Sequence, residues 1–185
     1  MKTKVTLAWL ESINACKDGI EYFKTLNISN VYEVIDRCMG DDQFGYANWL
    51  IVRFMNKKQG QRYAVYAAES VLHIYEDRHP DDNRPRLAIA SAKDVIKRDS
   101  KKNRDAAWSA ASAANAAAND DDADYSAYAT ATAARSASTA ARAATNFHAS
   151  NAARAASDAA WAASDAGYRG HMAKILRYGV DIIKS

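Results

Sequence analysis

An all-α fold is the class this sequence predicts, and three observations carry the expectation. Apolar residues recur at helical spacing along most of the chain. Proline and glycine are scarce, two and seven in 185 residues, too few for the many turns of a β-sandwich or barrel. Alanine fills 30 of the 62 positions over 105–166, and alanine is the strongest helix former. The expected architecture is a single compact helical domain over 1–185 with about eight helices. A mixed helical half over 1–100 leads into an alanine-rich, closely packed half over 101–185.

The elements follow in order. Leu7, Leu10 and Ile13 give a helix over 6–16, and Ile20 and Phe23 give one over 19–26. The stretch 27–30 is a turn, in which Ser29 or Asn30 can cap a helix over 31–39. Gly40-Asp41-Asp42 breaks the chain before a strongly apolar helix over 44–55. A long helix over 59–77 carries Tyr63, Tyr66, Ala67, Val71, Ile74 and Tyr75 on its apolar side. Pro80 disfavours helix at His79. Asp82 or Asn83 can cap the next helix, and Pro85 suits its first turn over 85–97. The alanine tract divides near 119–122 and 146–148, giving helices over 104–118, 124–146 and 149–166. The segment 171–184 regains large apolar residues, among them Ile175, Leu176 and Val180. Alanine helices approach closely but bury little area each, so the larger side chains of the first half and of the end must hold them.

Composition narrows the function classes. With 49% hydrophobic and 25% charged residues the chain is globular rather than disordered. The apolar run Val5 to Leu10 is ended by Glu11, too early for a secretory core, and no run reaches the length of a membrane span. A soluble cytoplasmic protein is the expectation, with no membrane partner. A net charge of +3 and a pI near 8.8 argue against an acidic nucleic-acid mimic. Cys16 and Cys38 are the only cysteines and form no CxxC pair.

Three stripes stand out on the alanine helices. Arg104, Trp108, Ser112, Asn115 and Asn119 share a face of the first. Tyr128, Thr132, Arg135, Thr139, Arg142 and Asn146 share one of the second, and Arg154, Asp158, Trp161, Asp165 and Tyr168 one of the third. Solvation alone would explain such stripes. Convergence on one groove would instead make them a partner-binding surface, for which Trp108, Tyr128, Arg135, Arg142, Arg154, Trp161 and Tyr168 are the candidates. The arginines are expected exposed, because an unpaired buried charge is costly. The tryptophans are expected partly buried, as fillers of inter-helix gaps. No repeat of fixed period and no regular threonine ladder survives inspection.

Catalytic patterns are absent from the sequence: there is no GxSxG elbow, P-loop, GxGxxG or HExxH. Glu69 and His73 lie four apart on one helix, a spacing that is more often structural. The acidic run 120–124 lacks the glycine and distal glutamate of an EF-hand and reads as a solvated helix start. No cofactor or metal is expected. Lys97, Arg98, Lys101, Lys102 and Arg104 form a basic cluster between the halves, read as a solvated helix end or as a contact for phosphate or an acidic partner. Asp82, Arg84 and Arg86, beside Pro85, are expected to hold the 79–86 turn by pairing with neighbouring helices.

The run Tyr75-Glu76-Asp77-Arg78-His79-Pro80-Asp81-Asp82-Asn83-Arg84-Pro85-Arg86-Leu87-Ala88-Ile89 resembles the "YEKxxPxDxRPRxAIEAA" junction of the Imm5-like group of immunity proteins. Bacteria carry these proteins, and tailed phages do so frequently. The alanine-rich continuation is similar, as is the earlier order Ala15-Cys16, Gly19, Phe23, then Val34 to Cys38 and Trp49-Leu50. The resemblance implies a protein that binds and neutralises another protein, and it brings no active-site residues. The leading expectation is therefore a non-enzymatic inhibitor of a toxin or host defence factor. The alternatives are a ligand-sequestering protein or enzyme using an inter-helix pocket with Glu69, His73 or the stripe arginines, and a nucleic-acid accessory using the basic cluster.

Overall fold

The computed structural model describes residues 4–119, 125–146, 148–167 and 170–185. Among them the chain forms eleven α-helices and no strand, with one isolated antiparallel bridge between Lys4 and Asn30. The first half holds α1 (Leu7–Ser12), α2 (Lys17–Leu26), α3 (Val31–Gly40), α4 (Phe44–Phe54), α5 (Lys57–Glu69), α6 (Leu72–Glu76) and α7 (Arg84–Lys97). The second holds α8 (Lys101–Ala117), α9 (Tyr125–Thr145), α10 (Ala149–Asp165) and α11 (His171–Lys184).

Local chemistry explains most boundaries. Thr6 Oγ1 accepts from the Trp9 N–H, Asn30 Oδ1 from Tyr32 and Glu33, and Ser100 Oγ from Asn103. Asn56 and Gln59 complete a reciprocal capping box on α5. Asn27 ends α2 in the left-handed conformation. The helix expected over 6–16 stops earlier, because Asn14 turns left-handed and Cys16 becomes the cap of α2. The helix expected over 59–77 is broken at Ser70-Val71. Ser70 Oγ donates back to the Ala67 carbonyl and also meets His171 Nε2 at 2.8 Å, while Val71 is fully buried. The break swings α6 against α9. These short helices raise the count above the eight expected.

α9 is the axis of the second half. α5, α6, α7, α8 and α10 all pack against it. From Ala129 to Ala144 only Arg135 and Arg142 are not buried. Alanine makes this possible, since a helix with methyl side chains can be enclosed on nearly every side. Its buried hydroxyls find carbonyls on the neighbours: Ser136 Oγ donates to Ala155 at 2.8 Å and Ser138 Oγ to Ala111 at 2.7 Å.

The two halves meet through larger side chains. Tyr63 is fully buried and donates to Asn48 Oδ1 at 2.9 Å. Asn48 Nδ2 in turn donates to the Ala153 carbonyl at 2.8 Å and to Ser157 Oγ at 3.1 Å on α10. Gln61 reaches the Ala144 carbonyl on α9 at 2.8 Å. α11 presses onto α4 and α5 at Gly179, where a Cβ would stand 2.8 Å from both Ile51 Cγ2 and Tyr63 Cε2. No described helix is long and apolar enough to cross a membrane.

Candidate functional site

α8 and α10 both pack against α9, and α8 runs antiparallel to it. Ala111 is level with Ser138, and Trp108 with Arg142. On the other side, Ser136 Oγ donates to the Ala155 carbonyl and Thr139 Oγ1 to Asp158 Oδ2, both on α10. The edge of α9 left uncovered therefore lies between the outer edges of its two neighbours. Tyr128, Arg135 and Arg142 recur every seven residues along that edge, which keeps them nearly in line on a helix of 3.6 residues per turn.

The three stripes thus meet on one face. The Arg142 guanidinium sits over the Trp108 ring, 5.7 Å from its centroid, within cation–π range. Across α9, Asp158 Oδ2 accepts from Thr139 Oγ1 at 3.3 Å and lies 3.8 Å from Arg154 Nε. The Asp158 side chain is only 15% exposed. Burial pushes its carboxyl above the usual range, while Arg154 and Arg135 pull it back. The outward charges of the centre are cationic, with the carboxylate turned inward beneath them.

Aromatic exposure singles out the same face. Trp108 is 55% exposed, Tyr128 54% and Trp161 61%. The only other exposed large apolar side chains among the described residues are Leu7 and Leu87. The expectation that the tryptophans fill inter-helix gaps is corrected: alanine backbones close on one another and leave no gap for a ring. Thr132 and Thr139, assigned to the stripe, are buried instead. They stand about 40° off the line of Tyr128, Arg135 and Arg142, which turns them under the edge. Tyr168 and the acidic run 120–124 lie outside the described residues.

The junction is a separate construction. Asp82 Oδ2 accepts from Tyr75 Oη at 2.5 Å and from Arg84 Nη2 at 2.7 Å, and Asp82 Oδ1 takes the Arg84 backbone N–H at 2.9 Å. The Arg84 guanidinium holds the Asp82 carboxyl well below the usual carboxylate range. Arg86 forms a two-pronged pair with Glu76, at 2.7 and 2.6 Å. Pro85 is buried in the first turn of α7.

The basic cluster divides. Arg104 and Lys57 both pair with Asp99, and Lys101 pairs with Asp105 at 2.7 Å. Lys97 turns instead into a cleft between α5, α7 and α11. Glu69 pairs with Lys93 across that cleft. Among the described residues no His, Cys, Asp and Glu cluster has the composition to hold a metal.

Two features escaped the sequence reading because they join distant segments. One is that cleft, where Lys58, Arg62 and Lys93 join Lys97. The other is an apolar cavity of about 400 Å³ beneath α2, lined by Leu10, Cys16, Tyr22, Phe23, Tyr46 and Trp49 among others. Burial pushes the Cys38 thiol at its edge up to about 11.

No curated protein and no solved structure matches the chain. The earlier likeness at 15–50 lies outside the stretch that a family model covers, whereas the Asp82–Arg86 junction, α8 and α9 as far as Ala140 lie inside it. Just under half of the chain, residues 52–140, matches the family described as Imm-5 like putative immunity protein.

Proposed function

We propose that this protein is an immunity-type inhibitor without catalysis of its own, which neutralises a toxin or a host defence factor by covering it with the α8–α9–α10 face. The target would be met in the cytoplasm of a bacterial cell, whether the chain is encoded by a bacterium or a phage. One observation carries the reading: every tryptophan and tyrosine seen to be exposed among the described residues, Trp108, Tyr128 and Trp161, stands on the face that also presents Arg135, Arg142 and Arg154. Tryptophan, tyrosine and arginine are the residues that dominate interface energetics. Helices locked around α9 hold these side chains at fixed spacing, so little ordering cost falls on binding. The outward positive charge suits a target with an acidic rim. The family match over 52–140 supports an immunity-type role.

The test is capture with the tagged full chain from toxin-bearing bacteria, followed by mass spectrometry and an activity assay on the captured protein. Wild type should retain a partner and silence it at equal molar ratio. Trp108→Ala and Trp161→Ala should lose it, and Lys174→Ala on α11 should keep it. A partner held equally well by all four would overturn the assignment of the face.

Small-ligand binding is a second reading, favoured by the cavity beneath α2. It predicts saturable heat when the full chain is titrated with a small apolar aromatic such as indole, and a weaker response in Ala15→Leu, which fills the cavity wall. No binding heat at millimolar indole would remove it.

A further inference from the structure

On the side of the molecule away from the stripe face, α5, α7 and α11 enclose a cleft of about 550 Å³. Lys58 and Arg62 stand four residues apart on α5, and Lys93 and Lys97 four apart on α7. Tyr66 and Tyr178 form one wall, their rings stacked with centroids 3.8 Å apart. Glu69 is the one acid in the lining, and it is taken by Lys93. Lys58, Arg62 and Lys97 make no hydrogen bond or ion pair among the described residues.

This arrangement works against the fold. Like charges at i,i+4 destabilise a helix, and here two such pairs face one another across a concavity. Four cations against one carboxylate leave an excess of three, as large as the formal net charge of the whole chain. Beside the cleft, Lys57 and Arg104 are both neutralised by Asp99, and Lys101 by Asp105. A single carboxylate could satisfy only one of three separated cations. A chain of phosphates carries several charges with acceptor oxygens on every side, and cationic donors bind it by charge-assisted hydrogen bonds.

We propose that the α5–α7–α11 cleft is a phosphoanion site, with Arg62 and Lys97 as opposed clamps and Lys58 at its mouth. The site is independent of the occlusion reading, since it shares no residue with the stripe face. The phosphates come either from a free oligophosphate or from the backbone of a nucleic acid, and the chemistry is common to both.

Calorimetric titration of the full chain with tripolyphosphate at low salt tests it, with a short oligothymidylate as the competing arm. Saturable one-to-one binding is expected, weakening steeply as salt rises. Arg62→Glu and Lys97→Glu should each weaken it by about tenfold or more, while Lys102→Glu, outside the cleft, should change it by less than about twofold. Thermal melts of the three variants show whether each is folded, and all substitute side chains at the surface. Displacement of tripolyphosphate by the oligonucleotide at lower concentration assigns the source to nucleic acid, and failure to displace assigns it to a free phosphoanion. Two results overturn the proposal: no saturable binding of either probe at millimolar concentration, or an effect of Lys102→Glu as large as that of Arg62→Glu.

Discussion

Around α9 and beneath α2 the same chain solves the packing problem in opposite ways. α9 touches its neighbours through methyl groups, and its flanks from Ala129 to Ala144 are buried apart from two arginines. α2 carries Ile20, Tyr22, Phe23 and Leu26, yet none of its residues is fully buried, and a cavity of about 400 Å³ lies beneath it. Small side chains let backbones set the contact distance, so the fit is close and has no slack. Large side chains projecting from a short peripheral helix leave space that nothing else fills. Tolerance to substitution should differ accordingly, with the alanine region hurt by added volume and the α2 region indifferent to it or improved by it.

The largest effect is expected where the two regions are tied together. Tyr63→Ala removes a fully buried ring and leaves Asn48 without its donor. It should lower stability by about 3–5 kcal/mol in a denaturant titration. A loss below about 1 kcal/mol would mean that the halves are held by other contacts.

Next comes the volume test. Ala137→Leu, on the enclosed flank of α9, should cost about 1–3 kcal/mol through overpacking. Ala15→Leu, on the cavity wall, should be neutral or stabilising by up to about 2 kcal/mol. Equal penalties at both sites would erase the contrast.

The junction contributes a pH-dependent effect. Arg84 first, and the Tyr75 hydroxyl after it, hold the Asp82 carboxyl below its ordinary value. The resulting stability is fully present above the unfolded carboxylate pKa of about 3.9 and is lost as pH falls through that value towards the folded one. Melting temperature plotted against pH should therefore fall more steeply on the acid side for wild type than for Asp82→Asn. Parallel acid limbs would show that the pair contributes nothing. Arg84→Ala should lower the melting temperature at neutral pH.

What the sequence disclosed follows from the range of each interaction. The alanine helices were legible because propensity is local, and so was the Asp82–Arg86 junction, whose partners lie within ten residues of one another in sequence. The central place of α9 was not, because alanine serves a buried face and a wet one equally well. Thr132 and Thr139 share helical spacing with Arg135 and Arg142, but a step of four carries a side chain under the helix edge. Large rings amid alanines suggest gap fillers, but closely approaching alanine helices leave no gap. The like-charged pairs Lys58/Arg62 and Lys93/Lys97 are visible in sequence. Their meeting across a cleft depends on how α5 and α7 pack.

The smallest expected change in stability belongs to the exposed rings, and it is the most informative. Trp161→Ala should be measured for thermal melting and for partner binding in parallel. An interface anchor on a preformed surface should leave stability within about 0.5 kcal/mol of wild type and weaken binding by about 1–4 kcal/mol. A variant that melts several degrees early and binds its partner normally would contradict the α8–α9–α10 face as the site of neutralisation.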